Sequence, residues 1–560
     1  MIADLSESTP DELPEYDLCV VGSGPAGLTV ANELARSGLR ICVLESGRMK
    51  RTRHGDRLRH VVSEGIRIKE YSRERVLGGA STTWAGLSSP LDPIDMEPRP
   101  FSPHSGWPIQ RAELLPYYAE ASERYRFPPL AFFGPEGFGA LKRQGDLQPS
   151  WRQVEEKVFL ASAEPQNFGR ELRQMFDTPG VDLYLDATLL RLECGPQGSR
   201  VTHGVVRTRR GDEVRVRAAV FVLATGGIEN ARILLCSQDQ CSEGLGNERD
   251  QVGRFLMNHP KNYNGTITFD RPVEELPYYF GCLYEGFAGY AGLRLTEATQ
   301  AARDLMNSYV RLEPLFPWSD NPGVEALVLI VKRTQFLLSG FKARAKGKVV
   351  SLRDYSETGD DSDLQNERKS PLKWIGLALK ILTNGHRVAQ YLYFRLLSRT
   401  KPKITAARLR NFMEMEPCPE NRVVLSDERD IYGQLIPLVR HQSTALDRRS
   451  LIALHDVLAA EVASAGLGTL TTNLEHEDPW PILEDASHHM GTTRMGSDPR
   501  TSVVDPDCRL HGMPNVFVAG ASVFPTSGCA NPTFTIVALA IRLARTLRTD
   551  VFHLDPEPAE

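Results

Sequence analysis

Asp17-Leu18-Cys19-Val20-Val21-Gly22-Ser23-Gly24-Pro25-Ala26-Gly27 is the stretch on which the fold turns. Its apolar first half reads as a short buried strand. Its glycine-rich second half runs into Leu28, Val30, Ala31, Leu34 and Ala35, which recur at helical spacing. Gly38 closes that helix, Ile41-Cys42-Val43-Leu44 reads as a second strand, and Glu45 ends it eighteen residues beyond Gly27. Each part has a physical reason. Gly22 permits the tight turn out of the strand, Gly24 keeps no side chain between a pyrophosphate and the backbone, and Gly27 lets the helix approach the sheet. The helix start at Pro25 and Ala26 offers unpaired N–H groups and partial positive charge to a phosphate. Glu45, followed by Ser46, can accept hydrogen bonds from a ribose diol. Strand, helix, second strand and terminal acid in register predict a dinucleotide site.

This opening serves NAD and FAD equally well, and the later segments choose between them. Arg75-Val76-Leu77-Gly78-Gly79-Ala80-Ser81-Thr82 supplies a second glycine doublet. Val220-Phe221-Val222-Leu223-Ala224-Thr225-Gly226-Gly227 is a buried strand ending in a small-residue turn, and Val516-Phe517-Val518-Ala519-Gly520-Ala521-Ser522 repeats the pattern. Three such returns predict one nucleotide domain assembled from distant stretches, as a large flavin cofactor lying across the strand ends requires.

The 560 residues are 41% hydrophobic and 24% charged, the composition of a soluble globular protein rather than a disordered, fibrous or disulfide-framed chain. A net charge of −5 gives no reason to expect a nucleic-acid partner. The nine cysteines are scattered and form no CxxC pair, so neither a metal site nor a disulfide framework is expected. That usage fits a reducing, cytoplasmic setting. The acidic start of the chain lacks the apolar segment of a secretory signal, and no run of about eighteen apolar residues predicts a membrane span.

Several further runs are distinctive together. They are Ser487-His488-His489-Met490-Gly491-Thr492-Thr493-Arg494-Met495-Gly496, Val503-Val504-Asp505-Pro506, Leu510-His511-Gly512, Val518 to Thr526 and Cys529-Ala530-Asn531-Pro532-Thr533. Asp250 to Pro260, with Phe255-Leu256-Met257-Asn258-His259-Pro260 at its end, and Ser105-Gly106-Trp107-Pro108 belong with them. In these patches the chain resembles the glucose-methanol-choline (GMC) oxidoreductase family. Its motifs are nearest to the pyranose oxidase-like and bacterial sugar- and polyol-oxidising branches.

The resemblance implies an α/β protein with a discontinuous Rossmann-like FAD-binding domain and an α+β substrate domain built on a large sheet. The expected division is 12–100, 185–260 and 485–550 for FAD, with 101–184 and 261–484 for substrate. The expected FAD contacts are Gly22, Gly24, Pro25, Ala26, Gly27, Glu45, Ser46, Gly78, Gly79, Ser81, Thr82, Trp84, Ala85, Gly86, Leu189, Ala224, Thr225, Gly226, Gly520, Ala521, Asn531, Pro532 and Thr533. Some members attach FAD through a histidine in a Ser-Thr-His-Trp run. The matching run here is Ser81-Thr82-Thr83-Trp84, so Thr83 implies non-covalent FAD. Many members carry aspartate where Gly520 stands.

The implied activity is oxidation of an alcohol of a sugar, glycoside, polyol or similar molecule by hydride transfer to the flavin, with oxygen, a quinone or a redox protein as acceptor. Alcohol oxidation also releases the hydroxyl proton, and a neutral histidine suits that role near neutral pH. From the residues alone His488 and His489 are equivalent candidates. The resemblance assigns the base to His488 and the positioning role to Asn531, whose amide can orient the same oxygen without competing for its proton. His259 and His511 read as structural turn residues, and Arg494 as the partner of a carboxylate.

Leu327-Val328-Leu329-Ile330-Val331 and Val423-Val424-Leu425 read as strands of the substrate domain, the second preceded by a turn at Pro417, Pro419 and Asn421. Residues 342–403 hold 14 Lys and Arg against 6 acids and form a basic helical insertion, a possible contact for an anionic membrane or a redox partner. The acidic run Glu357–Asp363 within it reads as an exposed loop. The competing functions are an FAD-containing lyase of the same fold, a nicotinamide-dependent dehydrogenase and a non-catalytic flavoprotein.

Overall fold

The computed structural model describes the chain apart from residues 8–11, 142–146, 148, 163, 196–197, 240, 275, 277–282, 285, 338–370, 399–401, 478–479, 483–484, 486 and 556–560. The opening motif forms the strand Tyr16–Val21 and the helix Pro25–Leu34, and the second strand is Ile41–Leu44. Tyr16–Val21 lies between Ile41–Leu44 and Glu213–Leu223, parallel to both, with Cys19 opposite Cys42 on one side and Phe221 on the other. Val181–Leu185 and then Ile2–Asp4 extend the parallel sheet beyond Ile41–Leu44. Val516–Val518 pairs in parallel with Phe221–Leu223. Ala187–Cys194 and Val201–Thr208 complete the eight strands as an antiparallel meander on Glu213–Leu223.

Helices cover this sheet, so its central strands are apolar on both faces. Leu18, Cys19, Val20, Ile41, Cys42 and Val43 are fully buried. Gly27 is needed for that closeness: a Cβ there would lie 2.0 Å from the carbonyl oxygen of Gly22. Gly22 itself has φ +100°, a conformation that favours glycine. The sheet reaches past the stretches expected for it, because Val181–Leu185 begins within 101–184 and Ile2–Asp4 precedes residue 12.

The second large sheet is antiparallel and also has eight strands. Its order is Leu283–Tyr284, Phe287–Leu295, Tyr309–Leu315, Ile404–Phe412, Thr266–Val273 and Gly468–Thr471. Val154–Ser162 pairs along Phe287–Leu295, and Lys261–Asn262 pairs with the end of Ile404–Phe412. The helix Ala445–Ser464 contributes Leu451, Leu454, Val457 and Leu458 to the same core.

Two expectations are corrected. Leu327–Val331 lies inside the helix Pro322–Leu337, not in a strand. An apolar run of five fits either structure, and its flanks decide. Asn321 Oδ1 accepts from the N–H groups of Gly323 and Val324 at 3.1 and 3.3 Å, and Pro322 takes the first helical position. Val423–Leu425 is a strand, Arg422–Arg429, but it joins a separate three-stranded sheet with Leu435–His441 and Val62–Gly65.

Within 342–403, residues 371–398 and 402–403 are described; the acidic run Glu357–Asp363 lies outside the described residues. Helices Pro371–Thr383 and Gly385–Leu392 follow, the latter running on through Tyr393–Leu397. Val388 packs with Trp318 and Val324. Ile375, Leu379 and Leu382, at helical spacing, are instead 57%, 55% and 76% exposed. No helix among the described residues is long and apolar enough to cross a membrane.

Candidate active site

A cavity of about 810 Å³ opens where the parallel strands end and extends under the antiparallel sheet. That is large for a small-molecule site, and strand ends of an open α/β sheet are where such sites form. Nearly every residue expected at the nucleotide lines it: Gly22, Gly24, Pro25, Ala26, Glu45, Ser46, Gly79, Ser81, Thr82, Trp84, Ala85, Gly86, Leu189, Ala224, Thr225, Gly226, Gly520, Ala521, Asn531, Pro532 and Thr533. Gly27 and Gly78 do not. Gly27 faces the sheet, and a Cβ on Gly78 would point at the backbone of Gly169, 2.9 Å from its nitrogen.

The cavity is shaped for an elongated polar guest. A Cβ added at Gly24 or Gly226 would meet nothing within 4 Å, and one at Gly520 only Ala26 at 3.8 Å, so the space beside these turns is not taken by protein. The helices beginning at Pro25 and Gly227 have no side-chain cap, which leaves their first N–H groups for a ligand. Glu45 is buried, and its carboxylate accepts from Ser23 Oγ at 2.6 Å and Gly47 N at 2.7 Å. These residues could hold FAD. Thr83 is exposed and lines the same cavity.

His488, His489 and Asn531 also line the cavity. Two motifs are joined there: Met257 and Met490 exchange backbone hydrogen bonds at 3.0 Å, and Asn258 Oδ1 accepts from the N–H groups of His259 and His488. This brings the Nδ1 atoms of His259 and His488 to 3.0 Å. His259 Nε2 lies 2.8 Å from the Gly528 carbonyl oxygen, which can only accept. Burial holds His259 down to about 4, so its ring is neutral with the proton on Nε2. Its bare Nδ1 then accepts from Nδ1–H of His488, and the lone pair of His488 is on Nε2. Burial, with His259, His489 and Lys261 adding positive repulsion, pushes His488 well below the usual imidazole range, so it is a free base near neutral pH.

His489 has a different attachment: its Nε2 is 2.6 Å from the buried carboxylate of Asp485. His511 is structural as expected, with Nε2 bonded to Ser502 Oγ at 2.9 Å. Arg494 departs from expectation. Its guanidinium donates to the carbonyl of His104 at 2.6 Å and lies 4.7 Å from the Phe255 ring centre, with no carboxylate partner among the described residues. Trp107 explains the Ser105–Pro108 run, since its indole N–H donates to Thr526 Oγ1 at 2.8 Å just before the Asn531 loop. Glu414 holds the same loop by accepting from Gly528 N at 3.1 Å.

The sequence reading missed His259 as a site residue, and with it Lys261, Tyr290, Tyr309, Arg311, Arg410 and Phe412, which line the cavity from the antiparallel sheet. Tyr309 and Phe412 stack with ring centres 4.6 Å apart, and Tyr290 and Tyr309 share a 3.0 Å hydroxyl contact. The Asn258-His259-Pro260 run was the one available signal. The sheet residues had none, because pairing register rather than a motif gathers them.

Two family matches agree with this geometry. Residues 417–540 match the family described as GMC oxidoreductase, and residues 17–237 match that described as FAD dependent oxidoreductase. Residues 417–540 carry the C-terminal domain of a GMC oxidoreductase. The whole chain is similar to paromamine 6'-oxidase of Streptomyces fradiae, 25% identical over 97% of this chain and 93% of the relative. It is also similar to 2-methyl-1,2-propanediol dehydrogenase of Mycolicibacterium austroafricanum, 23% identical over 94% of both chains. A shorter stretch, 23% of this chain and 25% of the relative, is 38% identical to C-glycoside 3-oxidase of Microbacterium trichothecenolyticum. The crystal structure of pyridoxine 4-oxidase from Mesorbium loti shares this fold over 95% of this chain and 98% of its own, with a TM-score of 0.52 at 16% identity.

Proposed function

We propose that this protein is a GMC oxidoreductase that oxidises an alcohol carbon of a polyhydroxylated small molecule, a sugar, glycoside or polyol, with His488 as general base and Asn531 as the group that orients the hydroxyl. The observation that carries the reading is the hydrogen bond between His259 and His488, which leaves Nε2 of a neutral His488 as the proton acceptor in the cavity. The names of full-length relatives, an oxidase of paromamine and a dehydrogenase of a propanediol, support the substrate class.

FAD, when bound, supplies a ring that accepts hydride. The protein supplies the rest. Gly22, Gly24 and the helix start at Pro25 would hold its phosphates, Glu45 would accept from a ribose, and Thr83 offers no ring nitrogen for a covalent link. Asn531 directs the substrate oxygen toward His488, Nε2 takes the hydroxyl proton, and the stacked Tyr309 and Phe412 exclude water from the reacting carbon. We assign the parallel sheet to the cofactor half and the antiparallel sheet to the substrate half.

The acceptor that reoxidises the flavin is oxygen, a quinone or a redox protein. The exposed Ile375, Leu379 and Leu382, followed by Tyr393, Leu396 and Leu397 and flanked by Lys380, Arg387 and Arg395, support contact with an anionic membrane surface. The eight described cysteines are free, which supports a reducing, cytoplasmic setting.

The deciding experiment is anaerobic mixing of the purified yellow protein with sugars, glycosides, polyols and simple alcohols. Bleaching of the flavin is the expected result. A flavin that stays oxidised with every alcohol while the protein cleaves a substrate points to the lyase instead.

A further inference from the structure

The face of the antiparallel sheet that roofs the cavity carries a concentration of positive charge. Arg311 and Arg410 are directly opposite one another on paired strands, and Tyr309 and Phe412 form the next same-face pair. Lys261 is paired with Phe412 on the other side. All five residues line the cavity. Like charges directly opposite destabilise a sheet unless something offsets them. Here Glu313 accepts from Arg311, from Arg410 at 3.3 Å and from Arg408 at 3.4 Å, and Arg408 is further paired with Asp320. Glu313 thus reaches both cavity arginines. Lys261 has no ion-pair partner among the described residues. Burial together with Arg410, Lys69 and Arg311 pushes its ammonium down to about 7, opposed by Asp485, so the local potential is positive.

This charge is at the reacting end. Lys261 is close enough to His488 to lower its proton affinity. The phosphate-suited groups, the glycine turns and uncapped helix starts, belong to the parallel sheet instead. Arg311 lies 4.9 Å from the Tyr290 ring centre and Arg410 lies 5.3 Å from that of Phe412, so both guanidinium planes are held by aromatic neighbours.

We propose that the substrate is an anionic polyol, a carbohydrate bearing a carboxylate or a phosphate, whose charged group is held by Lys261, Arg311 and Arg410 while its alcohol carbon faces His488. This rests on the alcohol-oxidation reading above. An arriving anion gives the buried Lys261 a counter-charge, and the guanidinium groups beside it offer the fork geometry that carboxylate and phosphate oxygens match.

The test uses the FAD-loaded protein with two readouts. The first is the rate of anaerobic flavin bleaching by D-glucuronate, D-gluconate and D-glucose 6-phosphate against D-glucose, D-sorbitol and D-glucosamine. The proposal expects an anionic compound to exceed its neutral counterpart about tenfold or more in rate over half-saturation, and the preference to fall about tenfold in Lys261→Gln and Arg410→Gln. The carboxylate and phosphate arms tell the two sources apart. Equal bleaching by neutral or amino sugars overturns the proposal and leaves the oxidation reading standing, as does a substitution that slows neutral and anionic substrates alike. The second readout needs no turnover: titration of the oxidised flavin spectrum with D-glucuronate and D-glucose 6-phosphate. A saturable change that weakens in Lys261→Gln, with no compound bleaching the flavin, supports the anion site and removes the oxidation reading. No anionic preference and no spectral change overturns the proposal.

Discussion

The Nδ1 atoms of His259 and His488 lie 3.0 Å apart, with their rings at 85°, although 229 residues separate them in the chain. One ring fixes the proton of the other, because the Gly528 carbonyl commits His259 to donating from Nε2. His259 is therefore a positioning residue for His488. In His259→Ala we expect flavin reduction to slow by about 10²-fold. In His259→Asn the amide oxygen can still accept from Nδ1 of His488, so much of the rate should return. Equal rates in the two variants, with unchanged pH profiles, would show that His259 only fills space.

His488→Ala should cut anaerobic flavin reduction about 10²–10⁴-fold while FAD stays bound. Asn531→Ala should raise half-saturation and lower the rate together, without moving the pH profile, because the amide carries no titrating proton. Stopped-flow reduction across pH separates the two roles.

The proposed base predicts an acid-side signature. His488 sits well below the ordinary imidazole range because it is buried beside His259, His489 and Lys261. The pH profile of flavin reduction should therefore lack the acid limb near 6.5 of an unperturbed histidine. A limb at that position in the wild-type protein would remove His488 from the role.

The same burial couples pH to stability. His259, His441 and His455 are each held down to about 4 by burial. The unfolded chain takes up protons near 6.5, whereas the folded chain takes them up only near 4. Between those values the unfolded state binds more protons, so stability falls as pH falls through that window. Thermal melting followed from pH 7 to pH 4 should show a steep drop in midpoint, absent above about 7.

Gly24→Val tests the cofactor cradle. The backbone there is extended and a Cβ would touch no protein atom, so the variant should fold with a stability change within about 0.5 kcal/mol in the flavin-free state. Its side chain would occupy the cavity instead, and the purified variant should lose its flavin absorbance. Normal flavin content would show that the cofactor avoids this turn.

The exposed apolar stripe on Pro371–Thr383 should give flotation with anionic vesicles, and Leu382→Glu should abolish it. Equal recovery of both proteins in the unbound fraction would remove the membrane contact.

The cavity lining at the ends of the parallel strands was legible because it comes as compact motifs. Gly22 to Gly27, Ala224 to Gly227 and Gly520-Ala521 each mark a strand end whose backbone must turn without side chains in the way, and Gly78-Gly79 opens a short turn beside them. The choice of His488 over His489 came through resemblance, since two adjacent histidines look alike until their partners are seen. The roof was not legible. Lys261, Arg311 and Arg410 come from three strands with ordinary alternating sequences, and only the register of Arg311 against Arg410 and of Lys261 against Phe412 turns them into one charged patch. Leu327–Val331 misled for a related reason: five apolar residues do not show their period, and Asn321 with Pro322 held the information instead.

The strand Val516–Val518 pairs with Phe221–Leu223, and the helix Thr533–Thr546 that follows packs on Pro25–Leu34. Every other strand of both sheets precedes Val516 in the chain. During translation the ribosome thus delivers the first half of the glycine cradle long before its closing wall. A nascent chain must wait with that edge unsealed, so tight flavin capture belongs after synthesis, and premature termination upstream of Val516 should yield a colourless, protease-sensitive product.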